Sequence, residues 1–279
     1  MENVAFIKMH GIGNDFVVID VRETRLQLSR DQTRAIADRH TGVGCDQLIL
    51  IEQPTDNHAD AFMRIYNTDG SQAEACGNAT RCVASLMMSE NASRHTIIET
   101  VAGLLDAEQV EDGLVCVDMG PANLDWRDIP LSDAMDTLHL QIGSGPLQDP
   151  VAVNMGNPHA VFFVDDADAV DLATHGPAME RHKMFPEYAN IGVATIRSEN
   201  EIRLRVWERG VGETLACGSG ACAAIVAAHR RSVSARKASV QLNGGTLHME
   251  WMADNHVMMT GPVTTSFSGV LDATLLARG

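Results

Sequence analysis

A short pattern occurs twice in this chain. Arg64-Ile65-Tyr66 precedes Ala75-Cys76-Gly77, and Arg205-Val206-Trp207 precedes Ala216-Cys217-Gly218 at the same spacing. Gly13-Asn14, ahead of the apolar run Phe16–Asp20, is echoed by Gly156-Asn157 ahead of Ala160–Val164. A repeated element order constrains a fold more than local propensity does, because both copies must adopt the same topology. With 279 residues the chain accommodates two ordinary domains. The expectation is two pseudo-symmetric α/β domains, residues 1–119 and 120–265, divided at the Met119-Gly-Pro-Ala turn.

Strand-like runs rich in Val, Ile, Leu and Phe dominate the first third. They are Val4–Met9, Phe16–Asp20, Leu48–Glu52, Phe62–Tyr66, Thr96–Val101 and Leu114–Met119. Arg30–His40 reads as an amphipathic helix with Ser29 or Asp31 as its cap. The second half repeats the order. Val151–Met155, Ala160–Val164, Ile191–Ile196 and Glu201–Trp207 read as strands, and Thr246–Trp251 with His256–Thr260 as a closing hairpin. Asp168–Lys183 reads as a helix with a Gly-Pro break. After each repeated cysteine comes a helical run of small residues, GNATRCVASLMMSEN and GSGACAAIVAAHRR. Helices that are small and apolar on most faces are expected to lie enclosed by sheet. Each domain is therefore predicted to wrap a curved, mostly antiparallel sheet around one such helix.

A cysteine at a helix start has chemical meaning. The first N–H groups of a helix lack intrahelical partners and carry partial positive charge. They bias a thiol toward thiolate and can hold a carboxylate. A helix terminus contributes about 1 kcal/mol, which lowers a thiol pKa of about 8.5 by roughly one unit. A dominant thiolate near neutrality needs further tuning, for which His159 and Glu208 in the repeat loops are candidates. Facing domains would set Cys76 and Cys217 on opposite sides of an interdomain cleft, a geometry that suits removing a proton from one face of a carbon and returning one to the other. A redox dithiol and a buried packing role are the alternatives. Cys45, Cys82, Cys116 and Cys222 sit within apolar or helical runs and read as packing residues. The spacings Cys76/Cys82 and Cys217/Cys222 turn the second thiol of each pair elsewhere on the helix, so no metal site is expected.

The remaining features narrow the function classes. The formal charge of −16 argues against nucleic acid as a partner. No apolar run approaches the roughly 18 residues of a membrane span, and MENVAFIKMHGIGNDF does not read as a signal peptide. Six cysteines in a chain of this length predict reduced thiols and a cytoplasmic location. GIGNDF at Gly11–Phe16 opens a strand and lacks a third glycine, so it is not a dinucleotide fingerprint. The turn Gly42-Val-Gly-Cys-Asp-Gln delivers Asp46 and Gln47, and Asn67, Asn157 and Asn190 each border a short strand. Glu208-Arg209 pairs a carboxylate for an ammonium with a guanidinium for a carboxylate, the makings of an amino-acid receptor. The only lysines are Lys8, Lys183 and Lys237, none beside a phosphate-cradling glycine loop, so pyridoxal chemistry is not expected.

KMHGIGNDF (Lys8–Phe16), GVGCDQ (Gly42–Gln47), YNTDGS (Tyr66–Ser71) and ACGN (Ala75–Asn78) resemble the diaminopimelate epimerase family, as do MGNPHAV (Met155–Val161), NIGV (Asn190–Val193) and ERGVGETLACGSGACAA (Glu208–Ala224). The resemblance implies a cofactor-independent epimerase interconverting LL- and meso-diaminopimelate, with lysine and peptidoglycan-precursor synthesis as its setting and a homodimer as a compatible assembly. It implies Cys76 and Cys217 as the acid/base pair, and backbone amides of Gly77, Asn78, Gly218 and Ser219 around the reacting carboxylate. Asn14, Gln47, Asn67, Asn157, Asn190, Glu208 and Arg209 become substrate contacts, and His159 and Glu208 thiol-tuning groups. It also implies that the C-terminal stretch 266–279 returns to the first domain. One departure is Ala79, where the family commonly has glycine; it adds bulk at the first helix start. Racemisation of another amino acid such as proline, and a non-catalytic amino-acid-binding or redox-sensing role, are the competing readings.

Overall fold

The computed structural model describes residues 4–24 and 26–277. The chain divides into two compact units, Met1–Val117 with Gly261–Gly279, and Asp118–Thr260. The division falls inside strands. Met119-Gly120-Pro121 is not the turn expected from its composition but the end of strand β8, with Gly120 taking φ +78°.

The first unit carries β1 (Val4–Gly11), β2 (Asn14–Asp20), α1 (Arg30–Ala37), β3 (Gln47–Glu52), β4 (Ala61–Asn67), β5 (Gln72–Ala73), α2 (Gly77–Glu90), β6 (His95–Thr100), β7 (Gly103–Gln109) and the start of β8 (Val115–Pro121). β1 and β2 form an antiparallel hairpin, β2 and β3 pair in parallel, and β3 and β4 are antiparallel. β4 then pairs with β5 antiparallel and with β6 in parallel, and the sheet continues antiparallel through β7 and β8. α2 packs against β1, β2, β4, β6 and β7. α1 stops at Ala37, short of the expected His40. Ser29 caps it, and the Gln32 side chain returns a bond to the Ser29 amide in a capping box.

The second unit carries β9 (Gly143–Ser144), β10 (Leu147–Gln148), β11 (Val151–Asn154), β12 (Pro158–Phe163), α3 (Leu172–Glu180), β13 (Asn190–Ser198), β14 (Glu201–Glu208), β15 (Gly212–Glu213), α4 (Gly218–Arg230), β16 (Lys237–Gln241), β17 (Thr246–Trp251) and β18 (His256–Gly261). From β11 to β18 its pairings repeat those of β1 to β8 in sense and order: antiparallel, parallel, antiparallel, antiparallel, parallel, antiparallel. β17 and β18 then close an antiparallel hairpin. α4 packs against β11, β12, β13, β14, β16 and β17, and Ala221 to Ala228 are all fully buried. α3 is shorter than expected. It begins after the Asp171 cap, and Gly176-Pro177 lies inside it rather than breaking it.

The last strand, β19 (Thr264–Leu271), pairs antiparallel with β1, followed by α5 (Ala273–Leu276). Gln32 Nε2 on α1 donates to the Leu276 carbonyl at 2.6 Å. Arg278 and Gly279, the end of the stretch expected to return, lie outside the described residues, as do Met1 to Asn3. β7, β16 and β19 had no counterpart in the sequence reading. β7 buries only Ala107 and β19 only Leu271, so neither shows an apolar alternation.

The enclosure of α4 leaves no room for larger side chains. Ala224→Leu is expected to destabilise the chain by about 3 kcal/mol. Urea unfolding would show this as a lower midpoint at unchanged slope; an unchanged midpoint would contradict the packing described for α4.

Candidate active site

The ladder topology gathers the singled-out polar residues at one end of each sheet. β2 and β3 run parallel, so Asn14 and Gln47, their first residues, lie at the same end. β4 runs opposite to β3, so its last residue Asn67 joins them, directly across from Gln47. In the second unit Asn157 immediately precedes β12, Asn190 opens β13 and Glu208 closes β14. From each of these ends a loop leads to a cysteine and a helix.

Cys76 is the N-cap of α2 in an extended conformation (φ −152°, ψ 107°), and its side chain makes no capping bond. Its thiol donates to Asn14 Oδ1 at 3.8 Å, and Asn78 Nδ2 donates to the same oxygen at 3.2 Å. Asn14 Nδ2 in turn donates to Asp46 Oδ2 at 3.0 Å. Behind it, Asp15 pairs with Lys8 and with Arg39. Burial alone would raise the Asp15 carboxyl; the hydrogen bonds and charges of Arg39 and Lys8 outweigh it and hold it at about 2. Gln47 Nε2 donates to Asn67 Oδ1 at 3.1 Å, and Asn67 Nδ2 to Ser71 Oγ at 3.1 Å. Arg81, in the same helix, is fully buried, and a Cβ on Gly11 would stand 2.7 Å from its Nη2.

Cys217 caps α4 in the same way (φ −123°, ψ 106°), again with no capping bond from its side chain. It is 4% exposed, with Ser219 Oγ 3.7 Å from Sγ. Burial, then the Glu208 carboxylate, push this thiol well above its ordinary range, against the opposing pull of the Gly220 amide and the Ser219 hydroxyl. Cys217 is therefore a protonated thiol at neutral pH. Glu208 accepts a hydrogen bond from Thr214 Oγ1. His159 is 1% exposed and held down to about 3, first by burial and then by the Arg209 charge. It is a neutral imidazole, and Asn157 Oδ1, 2.8 Å from Nε2, accepts the proton placed there. Asn190 is enlisted by the backbone. Its Nδ2 donates to the Pro158 carbonyl at 3.1 Å, and its Oδ1 accepts from the Arg209 amide at 2.9 Å. Arg209 Nη1 donates to the Glu187 carbonyl at 2.9 Å.

Within the first unit the structure thus joins Cys76, Asn14 and Asn78, and pairs Gln47 with Asn67. Within the second it joins Cys217, Glu208 and Ser219, His159 with Asn157, and Asn190 with Arg209. Gly77 and Gly218 are the first helical residues after the two thiols. Asp15 and Thr214 lie inside motifs quoted above but were given no role there, and Arg39 lies outside all of them. Arg81 carried a signal, the one cation in a mostly small and apolar helical run.

Comparison with known proteins identifies the lineage. The diaminopimelate epimerase family model matches residues 6–124 and 151–266. The chain belongs to the diaminopimelate epimerase family. It is 59% identical over 271 residues to a diaminopimelate epimerase of Rhodospirillum centenum, covering 97% of this chain and 93% of that protein. The corresponding protein of Acidiphilium cryptum is 57% identical over 98% of both chains. Solved structures share the fold at low identity. A phenazine biosynthesis protein of the PhzF family from Bacillus anthracis superposes with TM-score 0.70 at 14% identity, covering 98% of this chain and 100% of its own. A hydroxyproline epimerase from Agrobacterium vitis gives TM-score 0.68 at 14% identity, covering 96% and 92%. These neighbours support the α/β fold with its sheet-wrapped helices.

Ala79, the family departure, is fully buried. Its counterpart in the second copy is Gly220, where a Cβ would stand 3.0 Å from Val206 Cγ2 and 3.1 Å from Cys217 Sγ. Gly220→Ala is expected to shift the Cys217 thiol and change its iodoacetamide labelling rate at least about threefold, leaving Cys76 unaffected. Peptide mass spectrometry reads both rates; an unaltered Cys217 would show that the contact is not felt. A second expectation concerns pH. The folded His159 value of about 3 lies below the unfolded value of about 6.5. Its contribution is therefore complete above pH 6.5 and is lost as the pH falls from there toward 3. About 2 kcal/mol disappears by pH 5, a slope that His159→Gln should flatten in urea titrations. Equal slopes in the two proteins would count against a neutral buried imidazole.

Proposed function

We propose that this chain is a cytoplasmic epimerase that interconverts LL- and meso-diaminopimelate in lysine and peptidoglycan-precursor synthesis. The observation that carries the reading is the repeated cysteine at the start of a buried helix, once in each unit, in a chain of this family. In the proposed cycle one thiolate removes the α-proton, and the other cysteine, as a thiol, delivers a proton to the opposite face of the carbanion. The thiolate and thiol have then exchanged roles, so the reverse reaction begins from the complementary state and the two groups titrate as a pair. The protonated state of Cys217 beside Glu208 supports its starting as the acid, with Cys76 as the base.

The first N–H groups of each helix, from Gly77 and Asn78 and from Gly218 and Ser219, are proposed to hold the reacting carboxylate and stabilise charge developing on it. Asn14, Gln47, Asn67, Asn157, Asn190 and Arg209 are assigned to the amino-acid groups of the substrate. Glu208 serves both the substrate ammonium and the Cys217 thiol. In this scheme His159 acts through Asn157, fixing its orientation. Lys8 is buried and bound to Asp15 and the Gly44 carbonyl, and Lys237 pairs with Glu250.

Reduced protein incubated with LL-diaminopimelate in D₂O is expected to yield meso product carrying α-deuterium, and to leave L-proline unchanged. Cys76→Ala and Cys217→Ala should each lower net epimerisation by at least about a thousandfold. Wild-type protein that is folded and reduced yet gives neither deuterium nor meso product would sink the assignment, and normal turnover in either variant would sink the two-thiol scheme.

A further inference from the structure

The turn that follows β14 has to present Glu208 and Arg209, yet its next residues are Gly210, Val211 and Gly212. None of these three has a side chain able to hydrogen-bond. The matching turn of the first unit supplies its own side-chain acceptor, although Arg34 on α1 also donates to its Asp69 carbonyl at 3.0 Å. Asp69 Oδ1 accepts from the Ser71 amide at 2.8 Å and its hydroxyl at 2.6 Å, and Ser71 Oγ accepts from Asn67. In the second unit the acceptor comes from outside the turn. Glu180, the last residue of α3, is 3% exposed. Its Oε1 accepts from the Gly210 amide at 3.0 Å, and its Oε2 from the Trp207 indole Nε1 at 2.7 Å. The Trp207 ring is seated on the same helix, at Gly176, where a Cβ would stand 2.6 Å from ring atom Cδ2. A buried carboxylate without donors is costly, and here both oxygens are satisfied by this one segment.

We propose that Glu180 is a positioning residue for the substrate-binding turn. Its carboxylate fixes the Trp207 ring and the Gly210 amide, the two immediate neighbours of the Glu208-Arg209 pair, and so sets where that pair meets the substrate. The role rests on the reading of Glu208 and Arg209 as substrate contacts. The Asn190 side chain, accepting from the Arg209 amide, ties the same turn from β13. In this scheme Glu180 touches no substrate and acts only through the turn.

Glu180→Gln keeps the shape of the side chain but replaces one acceptor with an NH₂ donor, which must then face either the Gly210 N–H or the Trp207 indole N–H. The expected effect is a rise of about tenfold in KM for diaminopimelate, equivalent to one lost charge-assisted hydrogen bond, with kcat held within about threefold. Trp207→Phe removes one of the two donors. In the double variant Glu180→Gln/Trp207→Phe the amide oxygen can return to Gly210, so KM should fall back toward that of Trp207→Phe alone. In the wild-type chain the Gly210 amide, though on an exposed residue, should exchange with D₂O slowly. An unchanged KM in Glu180→Gln, a double variant impaired by the full sum of the singles, or unprotected exchange at Gly210 would each overturn the role. The exchange measurement needs neither turnover nor a folded variant. It therefore decides the anchoring even if the epimerase reading fails, whereas wild-type turnover with an unprotected Gly210 would sink the anchoring alone.

Discussion

A helix enclosed by sheet on most sides favours small side chains, because packed strands approach it closely. α4 meets that demand with Ala, Gly, Ser, Cys and Val beside Ile225, and α2 with a similar set that also buries Arg81, Met87 and Met88; much of the two units follows from their burial. Surrounding a helix requires the strands to curl, and the two parallel crossovers in each unit bring three strand ends to one edge. The helix N-terminus opens near those ends. Its first N–H groups thus lie in a low-dielectric setting, where partial charges act more strongly than in water.

The two units share a topology but not an electrostatic environment. The first cysteine meets the side-chain oxygen of Asn14, which Asn78 also bonds, with Arg81 buried in the same helix. The second meets a carboxylate and a hydroxyl, and its thiol is driven toward the protonated form. A duplicated scaffold has thus been given unlike chemistry by a few side chains at equivalent places, Asn67 against Glu208 and Asn78 against Ser219. That inequality suits the proposed cycle, which needs one proton acceptor and one donor at the start of each turnover. The turns have diverged likewise, one taking its carboxylate acceptor from its own Asp69 and the other from Glu180 on α3.

Much of this was legible in the sequence. The strands that bury alternating Val, Ile and Leu appeared within a residue or two of their observed limits, because that alternation is itself the record of a half-buried strand. β7 and β19 escaped because a strand stabilised by ladders on mostly exposed faces leaves little apolar pattern, and β16 because its alternation rests on Ala238 and Val240 alone. Met119-Gly120-Pro121 read as a turn because Gly and Pro usually make one, yet the ladder carries the chain through it. Among the site residues, the amides of Asn14, Gln47 and Asn67 were visible as polar groups bordering strands, but not their bonds to one another. Asn190 was visible too, though its side chain is largely engaged with backbone. Glu180 gave no signal at all, since a glutamate ending a short amphipathic helix looks like any solvated charge.

The sequence by itself determined the duplication, the small-residue helices and the placing of a cysteine at each helix start, because composition and spacing are properties of the chain alone. Only the tertiary structure decided the protonated setting of Cys217, the partners of Cys76 and the holding of each turn. Those depend on which groups arrive from distant strands and how completely water is excluded, and neither is written in the residues around the cysteines.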